Sequence, residues 1–88
     1  MAEEASLART GGDFDFDPKH ALPKKRSLTI AGHRTSITLE DAFWRALKRA
    51  ASEMNVSVTA LVSTIDAARE PASLSAAIRV FLLLRCYP

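Results

Sequence analysis

Alternating polar and apolar positions predict a β-strand near the middle of the chain. Residues 34–39 read Arg-Thr-Ser-Ile-Thr-Leu and are rich in β-branched side chains, which favour extended backbone. The alternation places Ile37 and Leu39 on one face and Arg34, Ser36 and Thr38 on the other. We therefore expect a strand with one buried face and one polar face.

A shorter alternation lies just upstream, in residues 26–30, and Ala31-Gly32 between the two segments can form a turn or a bulge. An unpaired strand leaves backbone donors and acceptors unsatisfied, so residues 34–39 need a partner. The sequence leaves two partners open. Residues 26–30 can pair in a hairpin, or the same strand of a second subunit can pair across a two-fold axis, which makes a dimer.

Further along, apolar positions recur every three or four residues and predict three helices. The first covers about residues 40–54, and Thr38 with Asp41 resembles a capping box at its start. The second covers about 58–69, after a left-handed Asn55 and an N-cap Ser57. The apolar stripes are Phe43, Leu47, Ala50, Ala51 and Met54 in the first helix, and Val58, Leu61, Val62 and Ile65 in the second.

The third helix covers about residues 74–86, after Pro71 and an N-cap Ser73. It is apolar almost all round. Its side chains Phe81, Leu83 and Leu84 therefore belong either to the core or to a surface that contacts a partner.

Charge divides the 88 residues into three blocks. Residues 1–23 carry five acidic and two basic side chains together with glycines and prolines, a composition typical of a disordered tail. Residues 24–49 carry seven basic and two acidic side chains, and residues 50–88 carry three of each. We predict an acidic disordered tail over 1–23 and a folded domain over 24–88.

Several function classes are excluded by composition. One cysteine, Cys86, and two histidines, His20 and His33, provide neither an intrachain disulfide nor zinc-ligand spacing. The longest apolar run is residues 80–84, far short of the roughly 20 residues that span a bilayer. The acidic N-terminus lacks the apolar region of a secretory signal. We expect a cytoplasmic protein that does not enter a membrane, uses no cofactor and, since no catalytic constellation can be assembled, is not an enzyme.

The run from His33 to Leu47 and the run from Asn55 to Val62 resemble the ribbon-helix-helix DNA-binding domains. The resemblance covers about residues 24–85 and is strongest to short bacterial members that read Gly-His-Arg-Thr-Ser, here residues 32–36. It implies a mainly α fold with a short β-ribbon, in the order β-α-α plus the third helix. It also implies an intertwined homodimer whose antiparallel ribbon lies in the DNA major groove.

The resemblance and the alternation together assign the candidate site. An arginine can bond guanine bidentately and hydroxyls can bond either base type. The base-contacting candidates are Arg34, Ser36 and Thr38. The phosphate-contacting candidates are Lys24, Lys25, Arg26, His33, Ser57 and Val58, where the last two are the family's backbone clamp at a helix start. The dimer core candidates are Ile37, Leu39, Phe43, Leu47, Leu61 and Ile65.

These observations predict sequence-specific binding of double-stranded DNA by a homodimer that represses transcription. The alternative is a protein-interaction module, an antitoxin or an adaptor, which acts through the acidic tail or the apolar third helix. Exposure of that helix in the dimer favours the second function.

Overall fold

The computed structural model describes residues 16–87, which form a two-stranded ribbon followed by three helices. A short 3-10 turn, Pro18–Ala21, precedes strands β1 (Pro23–Ile30) and β2 (His33–Glu40), and helices α1 (Asp41–Glu53), α2 (Val58–Ala67) and α3 (Leu74–Cys86) follow. Most of the predicted tail, residues 1–15, lies outside the described residues. The division of the chain at residue 23 therefore stays a prediction.

The two strands pair within one chain. β1 and β2 are antiparallel, with Ile30 opposite His33 and Pro23 opposite Glu40. Ala31 and Gly32 form the two-residue loop with φ angles of 53° and 82°, which are the positive values of a type I′ turn. Of the two partners that the sequence left open for β2, this chain uses its own upstream segment.

One face of the hairpin packs on the helices and closes a single core. Ile30, Ile37 and Leu39 are buried there, because side chains alternate between the two faces of a strand. The helices contribute the buried residues Leu47, Ala50, Ala51, Leu61, Val62, Ile65, Leu74, Ile78 and Leu82. Five of the six predicted dimer-core residues are thus buried within one chain, and Phe43 is partly buried.

Most helix ends follow the predicted caps. Ser57 Oγ accepts a hydrogen bond from the amide of Ala60 at 3.0 Å, Ser73 Oγ caps α3 in the same way, and Asn55 has a φ of 58°. The predicted capping box of Thr38 and Asp41 is wrong. The N-cap of α1 is Glu40, without a side-chain cap, because β2 stays paired through Glu40 and keeps Thr38 in the strand.

Among residues 16–87, no helix has the length and apolar character needed to cross a membrane.

Candidate nucleic-acid interface

The solvent face of the hairpin presents two cations and four hydroxyls in three rows. Opposite residues of an antiparallel pair share a face, so the register defines the rows: Lys25 with Thr38, Ser27 with Ser36, and Thr29 with Arg34. All six side chains are exposed. We call these six residues the ribbon face.

The ribbon face has the chemistry of a surface that reads base edges. Its rows lie two residues apart, so the face is about 14 Å long, or about four base steps at 3.4 Å each. Arg34 lies beside the turn and Lys25 near the open end, with the hydroxyls between them. The three rows contain no acidic residue. A two-stranded ribbon of this kind fits the major groove, where arginine and hydroxyl groups can bond bases.

The structure brings only one of the four flanking phosphate candidates to this face. Lys25 lies on it, whereas Lys24 is opposite Leu39 and His33 is opposite Ile30, in register with the core face. Both Lys24 and His33 are exposed at strand ends. Lys24 borders a cleft with Asp17, His20 and Asp41 at the start of α1.

The fourth candidate, Arg26, points away from the ribbon face. It lies opposite the buried Ile37, and its guanidinium is 3.4 Å from Asp41 Oδ1 and 4.8 Å from the centre of the Trp44 ring. Its Nε is buried without a hydrogen-bond partner. A guanidinium held between a carboxylate and an indole joins β1 to α1 and is not directed at the ribbon's solvent side.

A second arginine repeats this arrangement from α3. Arg79 Nε donates to Glu40 Oε1 at 3.0 Å, and its guanidinium carbon lies 6.0 Å from the centre of the Phe43 ring. The hydrogen bond from Arg79 lowers the pKa of the Glu40 carboxyl. Asp41 and Trp44 thus contact an arginine from β1, and Glu40 and Phe43 contact an arginine from α3. These contacts tie the hairpin to the helices.

The outer edge of β2 is closed in part by α3. Ser75 Oγ donates to the backbone carbonyl of Thr38 at 3.0 Å. Beside it, Asp66, Arg69 and Ser73 border a cleft with residues 35–38. A hydrogen bond to Asp66 raises the pKa of Arg69. The carbonyl that the strand leaves unpaired is therefore satisfied by the chain itself.

Ser57 and Val58, the predicted phosphate clamp, lie at the start of α2. The end of α2 that borders the cleft with β2 is the opposite one, near Asp66. The described contacts do not bring Ser57 or Val58 to the ribbon face, and phosphate binding there stays a prediction.

Sequence reasoning missed Ser27 and Thr29, the two hydroxyls that β1 contributes to the ribbon face. The signal was present in the alternation of residues 26–30. It became informative only with the register, since a two-residue loop at Ala31-Gly32 places Thr29 opposite Arg34. In the described part of the chain, no cluster of three or more His, Cys, Asp or Glu residues could hold a metal ion.

Comparisons with known proteins agree with this architecture. The structure is similar to that of an uncharacterized protein from Bordetella pertussis Tohama I, with a TM-score of 0.69 and 27% sequence identity. The match covers 86% of this chain and 65% of that protein, so the chain spans just under two thirds of its length. No protein with curated annotation matches the chain. The sequence profile of the ribbon-helix-helix domain matches residues 23–86, from the first residue of β1 to the last of α3. The chain therefore belongs to the ribbon-helix-helix family, whose domains typically bind DNA and are generally regulatory rather than enzymatic.

Proposed function

We propose that this protein is a homodimer that binds double-stranded DNA sequence-specifically and represses transcription by occupying an operator. The ribbon face enters the major groove, and each subunit reads one half-site. No cofactor takes part, and the protein acts in the bacterial cytoplasm.

The observation that carries the proposal is the composition of the ribbon face. Six exposed side chains in three rows provide two cations and four hydroxyls. The acids at the end of β2 and the start of α1, Glu40 and Asp41, are engaged by Arg79 and Arg26, and Asp66, which borders a cleft with residues 35–38, is engaged by Arg69. We expect Arg34 to contribute most to discrimination between bases, because its guanidinium can hydrogen-bond O6 and N7 of guanine. Ser27 and Thr29 join Ser36 and Thr38 as further base-contacting residues.

The test of base reading is selection from a random duplex pool with wild-type protein and Arg34→Ala. Wild type should enrich a two-fold symmetric site. The variant should bind that site more weakly by about 1 to 3 kcal/mol and should lose its preference at one base position. Arg49→Ala is the matched control, because it removes the same charge from an exposed site on α1. Full discrimination by Arg34→Ala would exclude the ribbon from recognition.

Phosphate contacts are tested separately by salt dependence. Lys25→Ala should weaken binding to all DNA sequences alike and reduce the slope of log affinity against log salt concentration by about 1. Arg26→Ala should leave this slope unchanged, because Arg26 faces Asp41 and Trp44. An equal loss of slope in the two variants would contradict the assignment of Arg26 to the core side.

An alternative function is that of a protein-interaction module, an antitoxin or an adaptor. The exposure of Leu83 and Leu84, at 54% and 58% in the single chain, favours a protein contact on α3. Enrichment of no duplex by wild-type protein would favour this alternative over the DNA reader.

A further inference from the structure

The ribbon face carries cations that no carboxylate of residues 16–87 neutralises. Ion pairs elsewhere in these residues engage Arg26, Arg69, Arg79 and Arg85. Lys25 and Arg34, the two cations of the ribbon face, are exposed and have no ion-pair partner in the described part of the chain. The face therefore attracts anions, and its hydroxyls can donate hydrogen bonds to them.

The N-terminal end of the chain supplies the opposite charge. Residues 1–15, which precede the described part and which we call the acidic segment, contain one arginine and the acids Glu3, Glu4, Asp13 and Asp15. Extended backbone places residues two positions apart, such as Asp13 and Asp15, on one side at a spacing of about 7 Å. The rows of the ribbon face are also two residues apart. An extended acidic segment is thus complementary to the face in charge and in spacing.

The described chain begins close to the open end of the ribbon. Phe16 borders a cleft with Glu40, the last residue of β2. From Glu40, the row that contains Lys25 lies about 7 Å along the strand, and the row that contains Arg34 lies about 20 Å along it. The acidic segment can span up to about 50 Å when extended. It can therefore reach every row of the ribbon face of its own chain.

We infer that the acidic segment binds the ribbon face of its own chain and competes with DNA for this face. Asp13 and Asp15 are close enough in the chain to reach Lys25, and Glu3 at the far end of the segment can reach Arg34. Carboxylates accept hydrogen bonds both from cations and from hydroxyls. The inference rests on the proposed function for its consequence, since a covered ribbon face cannot enter the major groove.

Covering the face has a defined effect on DNA binding. The apparent dissociation constant rises by the inverse of the uncovered fraction, so a face that is covered in about 90% of molecules binds DNA about 10-fold more weakly. The factor is the same for every DNA sequence, because the bound segment excludes all DNA alike. The acidic segment therefore suppresses weak binding to non-cognate DNA, whereas a tightly bound operator still displaces it.

The exposed cations of α1 are the competing location for the acidic segment. Lys48 and Arg49 are both exposed. They are consecutive in a helix, so their side chains point about 100° apart and do not form rows at the spacing of the two aspartates. The ribbon face is favoured because it combines cations and hydroxyls in rows on one flat surface.

The contact is tested without DNA, by NMR of the whole chain at about 50 mM salt, where exposed charges are weakly screened. The segment variant combines Asp13→Asn with Asp15→Asn. The matched control combines Glu53→Gln with Glu70→Gln, because it removes two charges from exposed sites outside the ribbon face. The backbone amide signals of the ribbon face should shift in the segment variant and not in the control. All other amide signals should stay in place, which shows that both variants are folded.

Affinity for a duplex of random sequence provides the second measurement. The segment variant should bind about 5-fold more tightly than wild type, which corresponds to an increase of the uncovered fraction from about 10% to about 50%. The control should change the affinity less than about 2-fold, because its charges do not cover the face.

Three results would overturn the inference: unchanged amide signals in the ribbon face, shifts that fall on Lys48 and Arg49 instead, or equal tightening of DNA binding by the segment variant and the control. Shifts in the ribbon face together with no DNA binding by any of the proteins would support the contact and refute the proposed function. Enrichment of a two-fold symmetric DNA site by wild type, with a ribbon face that does not respond to the segment variant, would refute the contact and support the proposed function.

Discussion

The two-residue turn of the hairpin makes a prediction that tests the register of the ribbon face. Ala31 has a φ of 53° and Gly32 a φ of 82°. The left-handed conformation costs an alanine about 1 kcal/mol or more, whereas asparagine occupies it readily and Asn-Gly is the preferred type I′ pair. Ala31 is exposed, so Ala31→Asn changes the backbone preference with little change in burial.

We expect Ala31→Asn to raise the free energy of unfolding by about 0.5 to 1 kcal/mol. The Tm should rise by about 4 to 8 °C per kcal/mol in a domain of this size. Gly32→Ala should have the opposite effect, a loss of about 1 kcal/mol. A Cβ at position 32 meets no atom within 4 Å, so this loss comes from the positive φ rather than from a clash.

The assay is thermal unfolding followed by circular dichroism at one fixed protein concentration, since association also raises Tm. Ala67→Asn is the control, because this exposed residue ends α2 with a negative φ and should gain nothing. An unchanged or lowered Tm for Ala31→Asn, together with a neutral Gly32→Ala, would refute the type I′ turn. The pairing of Thr29 with Arg34, on which the ribbon face depends, would then be wrong.

Three further predictions concern the core and the two arginines. Leu47→Ala should lower the free energy of unfolding in urea by about 2 to 5 kcal/mol, because Leu47 is fully buried; a smaller loss would contradict its place in the core. The bond from Arg79 lowers the pKa of Glu40, so its stabilisation is present above the ordinary glutamate pKa of about 4.3 and is lost as pH falls through the lower folded value. The stability difference between wild type and Glu40→Gln should therefore shrink in acid, and a difference independent of pH would contradict this coupling. A double-mutant cycle of Arg26→Met and Trp44→Leu should give a coupling energy of about 0.5 to 1 kcal/mol, and a value of zero would show that the stacking does not stabilise the fold.

Local sequence signals were sufficient to predict the bounds of the helices and the polar face of β2. The periodic apolar positions and the serine caps placed α2 and α3 within two residues of their observed ends, because caps and amphipathic stripes act over one or two turns. The alternation in residues 34–39 likewise assigned Ile37 and Leu39 to the core and Arg34, Ser36 and Thr38 to solvent. Each of these assignments depends on neighbours in the chain.

Assignments that depended on distant residues were less successful. Lys24, Lys25 and Arg26 form one basic run in the sequence, yet the pairing with β2 directs Lys25 to the ribbon face and Arg26 to Trp44. The alternation of residues 26–30 puts Arg26 in phase with Leu28 and Ile30, but only the pairing with β2 shows which side of β1 continues the face of Arg34, because a shift of one residue in register reverses every side chain of a strand. Ser27 and Thr29 were missed for the same reason.

The sequence by itself determined the order of the elements, the ends of the helices to within two residues and the chemistry available for a DNA-binding surface. Only the tertiary structure decided that β2 pairs with β1 of its own chain, that Arg26 ties β1 to α1 and Arg79 ties α3 to β2, and that α3 buries Leu74, Ile78 and Leu82 while its outer face stays exposed. The physical reason is that propensity and periodicity act between residues a few positions apart. Strand partners, long-range ion pairs and the covered side of an apolar helix depend instead on residues that only folding brings together.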